Sequence, residues 1–288
     1  MNYLHAFHAG NFADVFKHAV IARILVHLRE KAAPFRVIDT HAGAGLYDLS
    51  APEATRTQEW RAGIGRLHAA TPAPAVAALL SPYLAAVAAA NGAADLRGAD
   101  LRRYPGSPLL SLHLMRPQDR LTACEREASV AALLARHLDR DKRANVVHID
   151  GWTALAAYVP PNERRGLVIV DPPYEDKREF SILAAAIEGA HRKWPTGTYL
   201  LWFPIKTREE ADAFARRLRR TGIAKMLRAE LRVGPVQDAA PLAGAGLIII
   251  NPPWMLHAEL KTLLPALAAV LAHGVGTGYT LDWLAGEK

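Results

Sequence analysis

Short apolar runs, each closed by Gly, Pro or an acidic residue, alternate along this chain with stretches of helical spacing. In residues 11–30, Phe16, Val20, Ile24 and Leu28 fall on one stripe, which predicts a helix with that face in the core and with Lys17 and His18 off it. Residues 35–39, 121–125, 144–149, 166–170 and 198–203 read as strands, and residues 225–233 and 246–250 close the series. Residues 209–221 read as a basic amphipathic helix stopped by Gly222. Strands alternating with helices predict an α/β fold with a mostly parallel sheet. One interval breaks the rhythm. Between the first two strands, residues 57–70 and 75–91 carry helical patterns joined by Thr71-Pro72-Ala73-Pro74. Residues 49–103 are therefore expected to form an inserted helical subdomain in a main domain of residues 1–48 and 104–288. Ser107 suits an N-cap and Pro108 the first helical position, so residues 108–115 are expected to cross over onto the strand at 121–125.

Composition narrows the class. Hydrophobic residues make up 51% and charged residues 22% of 288, enough for a large packed core. The net charge of +7 favours a polyanionic partner. The single cysteine, Cys124, excludes an internal disulfide and a cysteine-rich metal site. Residues 1–5 lack a basic segment leading into an apolar one, and no run reaches the length of a membrane span, so a soluble cytoplasmic protein with no membrane partner is expected. His5, His8 and His18 lie near Asp14 without strict ligand spacing, and no metal is expected.

The chemistry concentrates at Asp171-Pro172-Pro173-Tyr174, directly after the apolar run Gly166–Val170. Two consecutive prolines cannot continue a strand ladder, so a stiff loop leaves the sheet there. It carries a carboxylate first and an aromatic ring last. Such a loop suits methylation of an exocyclic amine on a planar base: Asp171 and a Pro-Pro carbonyl accept its N–H groups, and Tyr174 stacks on the ring. Asp39 ends the first strand and runs into Thr40-His41-Ala42-Gly43-Ala44-Gly45, small enough to let backbone approach a nucleotide. Glu125 ends the second strand, where a carboxylate suits ribose hydroxyls; Glu127, two residues on, is less favoured. Asp150 follows the third strand and suits an adenine amine. Asn251-Pro252-Pro253-Trp254 is a rival loop, read as structural or substrate-supporting because its strand belongs far out in the sheet. Arg216, Arg217, Arg219 and Arg220, with Lys225, Arg228 and Arg232, form either an RNA-binding face or a solvated one.

Three segments together, residues 3–18, residues 39–45 and Asp171-Pro172-Pro173-Tyr174-Glu175, carry a family resemblance. The chain resembles the bacterial 23S ribosomal RNA adenine-N6-methyltransferases over nearly its whole length. The resemblance implies a Rossmann-like methyltransferase fold, S-adenosylmethionine as cofactor and 23S rRNA as partner; a monomer is expected, although no sequence feature fixes the oligomeric state. It implies cofactor contacts at His18, His41, Ser107, Glu125, Asp150, Gly151 and Asp171, beside the small-residue turn at Gly43. It implies Asp171 as the catalytic residue, within the motif completed by Pro172, Pro173 and Tyr174. Tyr3 matches an aromatic near the RNA, and Lys17 is expected on the RNA or cofactor side. A DNA adenine methyltransferase, a protein-amide methyltransferase and a non-catalytic RNA-binding protein are the alternatives.

Overall fold

The structure, a computed structural model, describes residues 4–97, 100–176, 178–236 and 242–286. A short 3₁₀ turn at His5–Phe7 leads into α1 (Phe12–Arg29), which Asn11 caps by accepting from the backbone of Ala13 and Asp14. The apolar stripe of α1 is buried as its spacing predicts, but so is most of the rest of the helix, Lys17 and His18 included. The reason is its position: α1 packs against α4 (Pro74–Ala90), α5 (Ser107–Leu114) and α10 (Leu256–Leu271) as well as the sheet, so it has no wet side.

The central sheet has eight strands in the order β10-β8-β9-β7-β6-β1-β4-β5. In chain order these are β1 (Arg36–Asp39), β4 (Arg120–Glu125), β5 (Ala144–His148), β6 (Gly166–Val170), β7 (Thr198–Pro204), β8 (Met226–Arg232), β9 (Gly244–Ile250) and β10 (Gly278–Ala285). A separate hairpin pairs β2 (Leu46–Asp48) with β3 (Arg103–Pro105). Strands β5, β4, β1, β6 and β7 run parallel, and β9, β8 and β10 are joined antiparallel. Every residue of β6 is buried because helices cover both faces. Alternate side chains feed two cores. Val37, Leu167 and Ile169 join α1, α4, α5 and α10 on one face, while Ile38, Val168 and Val170 join α8 (Glu179–Lys193) and α9 (Arg208–Arg220) on the other. Two helices complete the layers: α6 (Ala128–Leu138) follows β4, and α7 (Gly151–Tyr158) follows β5. This is a Rossmann-like arrangement with its parallel strands ending along one edge.

The described helices of residues 49–103 lie within 52–69 and 74–90 and share the main core: Ile64, Leu67, Leu80, Tyr83 and Val87 belong to the same cluster as α1 and α10. The single helix expected over residues 57–70 is broken. Helix α2 (Pro52–Thr57) stops at Gln58, which takes φ 52°; Arg61–Gly65 follows with a kink at Gly63 (φ −100°, ψ −106°), then α3 (Arg66–Ala69). Gly63 is the cause of part of this break. A Cβ there would lie 2.1 Å from the carbonyl oxygen of Gly10, so the turn bends around a backbone contact that only glycine permits. Strand β10 was not announced by the hydrophobic pattern, because its outer position leaves most of its residues half-exposed.

Candidate active site

The parallel strands deliver a row of carboxylates to one edge of the sheet. Asp39 closes β1 and is fully buried; its Oδ2 has no hydrogen-bond partner, while its Oδ1 accepts from the backbone N–H of His41 at 3.4 Å. Burial pushes its titration up to about 6, with the charge of Asp171 adding to the effect and Ser107 and Lys17 opposing it. Ser107 opens the first turn of α5 and is not the N-cap; Gly106 holds that position and is tied by its N–H to the Gly45 carbonyl.

Glu125 closes β4 and faces the small-residue turn. Its Oε2 accepts from the backbone of Gly43 at 3.0 Å, and its Oε1 from the backbone of Glu127 at 2.8 Å. Glu127 itself is exposed at the N-cap position of α6, past the end of β4. Gly43 takes φ 62°. Beyond β5, Asp150 caps α7: its Oδ2 accepts from the backbone of Trp152 and Thr153 and from the Thr153 hydroxyl, which leaves one oxygen for a ligand. His41 lies between these strands, hydrogen-bonded to Thr40 Oγ1 at 2.8 Å and edge-on to Trp152. Burial lowers its titration to about 4, so its imidazole is neutral near pH 7. Gly151 packs flat against that ring.

Asp171 begins the loop after β6 with its side chain 17% exposed. The ammonium of Lys17 reaches it at 2.5 Å and also meets Asp14 at 2.9 Å. Burial lowers the titration of Lys17, but Asp14 and Asp171 more than offset it, raise it above the usual lysine range and keep the ammonium charged. Asp14 in turn accepts from His5 and from the backbone of Gly10. Burial works against the charge of Asp14 too, and His5 and Lys17 nevertheless hold it well below the usual carboxylate range. The result is a buried chain of charges from the N-terminal arm, through α1, to the D-P-P-Y loop.

Several expected residues sit differently from their sequence reading. Lys17 is 3% exposed, so it belongs to the carboxylate cluster and not to an outer surface. Tyr174 takes φ 51° and is 7% exposed; its ring packs on Phe180 and Trp202, and its hydroxyl donates to the Trp202 carbonyl at 2.8 Å. The ring therefore clamps the loop to β7 and does not present a face for a base to stack on. Pro172 is buried and Pro173 half-buried beside it. His18 is 1% exposed and turned toward the Tyr104 hydroxyl at 2.9 Å, which meets Tyr83. Burial lowers its titration to about 3, which makes it a neutral core histidine in this state. Tyr3 lies outside the described residues. His5, His8 and His18 turn to different partners, Asp14, Glu59 and Tyr104, and among the described residues no group of three or more His, Cys, Asp or Glu is placed to hold a metal ion.

Topology separates the two proline loops. Strand β9 is antiparallel to β7, with Ile250 opposite Tyr199, so Asn251–Trp254 emerges at the edge opposite Asp171. Asn251 serves the backbone there, donating to the carbonyls of Pro195 and Gly197. The basic run Arg216–Arg220 also lies toward that far edge, because α9 starts near the end of β7 and runs back to the start of β8. Sequence reasoning missed the Lys17–Asp171 pair, which no local spacing signals, and the isolation of Asp39, for which a strand-end acid was the only cue.

Comparison with known proteins adds a lineage to this geometry. The family model described as ribosomal RNA large subunit methyltransferase D, RlmJ, matches residues 32–285. Two proteins called ribosomal RNA large subunit methyltransferase J, from Haemophilus influenzae and Escherichia coli, are 39% and 40% identical over 288 residues, covering 100% of this chain and of each relative. A crystal structure of a Legionella pneumophila protein superposes with a TM-score of 0.85 at 34% identity, covering 96% of this chain and 98% of that one.

Proposed function

The chain belongs to the RlmJ family of ribosomal RNA large-subunit methyltransferases, and from that membership we propose that it methylates N6 of an unpaired adenine in 23S rRNA, with S-adenosylmethionine as the methyl donor. The observation that carries the chemistry is Asp171, at the end of β6 and held by the buried Lys17 ammonium. The residues at the strand ends fit the donor. The partnerless Oδ2 of Asp39 suits an α-ammonium, Glu125 suits ribose hydroxyls, and the oxygen of Asp150 left over from capping suits an adenine amine. S-adenosylmethionine, when bound, supplies an electrophilic methyl carbon on a sulfonium.

The protein's part is orientation and proton handling. An exocyclic amine is a poor nucleophile because its lone pair is delocalised into the base. Asp171 accepts one of its N–H groups and the carbonyl of Pro172 the other, which draws the nitrogen toward the methyl carbon. As the N–C bond forms, the amine's surplus proton passes to Asp171 and then to water. Lys17 positions the carboxylate beforehand, and Tyr174 holds the loop from below. The target adenine must leave any stack to reach this edge.

Single-turnover methylation of a 23S rRNA fragment, run beside a DNA of the same sequence, tests the reading. Asp171→Ala should lower the rate by roughly 10²–10³-fold, the range for losing one preorganised polar contact in a water-poor site, with binding of S-adenosylhomocysteine retained. Near-normal methylation by that variant, or preference for the DNA, would refute it.

A further inference from the structure

An open cavity of about 500 Å³ lies between Leu49–Arg61 and Asp100–Arg102, and none of the strand-end residues described above lines it. One wall is the half-exposed indole of Trp60, with the guanidinium of Arg61 5.0 Å over its ring. The opposite wall is Arg102, paired to Asp100 at 2.8 Å, and Gln58 and Thr55 supply an amide and a hydroxyl at the rim. An aromatic face, two guanidinium groups and short polar side chains in a cavity of this size match the needs of a single unstacked nucleotide. A base stacks on the planar Trp60–Arg61 pair, Arg102 meets its phosphate, and the carboxylate and amide read its edge or its 2′-hydroxyl.

The backbone that builds this cavity is unusual at two adjacent points. Gln58 sits in the left-handed region at φ 52°, and the helix that follows is kinked at Gly63, whose φ −100° and ψ −106° are not helical. Strained backbone of the Gln58 kind recurs at ligand sites, and here the two breaks leave Trp60 half-exposed, one side on the core and the other at the cavity. The same short stretch grips the N-terminal arm. Thr57 Oγ1 donates to the Phe7 carbonyl, Glu59 accepts from His8 and from Asn11 Nδ2, and Ile64 donates to the Gly10 carbonyl. Gly10 donates to Asp14, which holds Lys17 against Asp171. The cavity is therefore mechanically continuous with the arm that leads to the candidate catalytic loop.

We propose that the Trp60–Arg61–Arg102 cavity is a second nucleotide-binding site, which takes an unpaired nucleotide flanking the target adenine in the substrate RNA. This rests on the RNA-methylation reading above. Holding a flanking nucleotide gives the enzyme a way to select its strand that the catalytic loop, which sees one base, lacks.

The test is a coupling experiment on the full chain. Single abasic nucleotides are walked along both flanks of the target in a 23S rRNA fragment, and Kd is measured by fluorescence anisotropy for the native protein and for Trp60→Leu. Leucine keeps apolar packing against Gly10 and Gly65, where the indole now lies, but has no π face. One abasic position should weaken native binding by about 10-fold or more, Trp60→Leu should weaken binding of the intact RNA similarly, and the two losses should not add. Arg102→Gln, on the far wall, should reduce binding and flatten its salt dependence. The affinity for S-adenosylhomocysteine reports that the fold is intact. Additive losses at every abasic position would overturn the second site while leaving the methylation reading standing. A native protein that neither binds nor methylates the RNA would remove both.

Discussion

Replacing Asp39 by Asn should make the ligand-free protein more resistant to unfolding as the pH rises, while weakening the binding of S-adenosylhomocysteine. Asp39 is fully buried, and burial is the chief reason that its titration moves from 3.8 to about 6. The folded protein thus holds this proton more tightly than the unfolded chain does. Its contribution to stability is complete below about pH 4 and is lost as the pH passes about 6; the difference is worth about 3 kcal/mol at 1.36 kcal/mol per pH unit. The native protein alone would not reveal it. His41, lowered from 6.5 to about 4 by burial, acts with the opposite sign, since its contribution is present above 6.5 and is lost as the pH falls. Subtracting the native curve from that of Asp39→Asn removes the His41 term. The remaining difference should rise by about 3 kcal/mol in favour of the variant between about pH 4 and pH 7. Burying the Asn amide costs about 1–3 kcal/mol at every pH, which shifts the difference but not its slope. Urea unfolding followed by tryptophan fluorescence across this range measures it. A difference flat with pH would show that Asp39 does not hold a proton near neutrality. Calorimetry at neutral pH completes the case: loss of the carboxylate should weaken S-adenosylhomocysteine by about 10-fold or more if Asp39 receives the ammonium.

Three further outcomes follow from the packing. Lys17→Met leaves Asp14 and Asp171 without their shared cation and should cost about 3–5 kcal/mol in chemical denaturation near neutral pH; the loss should shrink in acid as the carboxylates protonate, and methylation should fall with it. Gly151→Ala places a Cβ 2.5 Å from His41 Nε2 and 2.6 Å from the Thr40 carbonyl oxygen, so it should displace His41 and weaken S-adenosylhomocysteine in calorimetry. Asn251→Ala removes two hydrogen bonds to backbone carbonyls and should cost about 1–3 kcal/mol of stability with single-turnover methylation intact, because its loop is on the opposite edge of the sheet.

The sequence by itself determined the parts of this protein that are written locally. A strand covered on both faces appears as a short apolar run, so β6 was legible in Gly166–Val170, as were β1, β4, β5, β7 and β9. Strand ends carry the punctuation, and the acidic residues that close these runs marked Glu125, Asp150 and Asp171 as candidates for ligand contact, with Asp39 noted only as a strand end. The tertiary structure decided what depends on partners distant in the chain. Strand direction has no signature in an apolar run, since parallel and antiparallel neighbours bury the same faces; only the pairing of Ile250 with Tyr199 carries Asn251 away from Asp171. The break at Gln58 and Gly63 answers a backbone contact with Gly10. Tyr174 turns inward because Trp202, far along the chain, offers it a carbonyl. Lys17 finds Asp171 across 154 residues, and the upward shift of Asp39 comes from the exclusion of water, a property of the assembled interior that no stretch of sequence possesses alone.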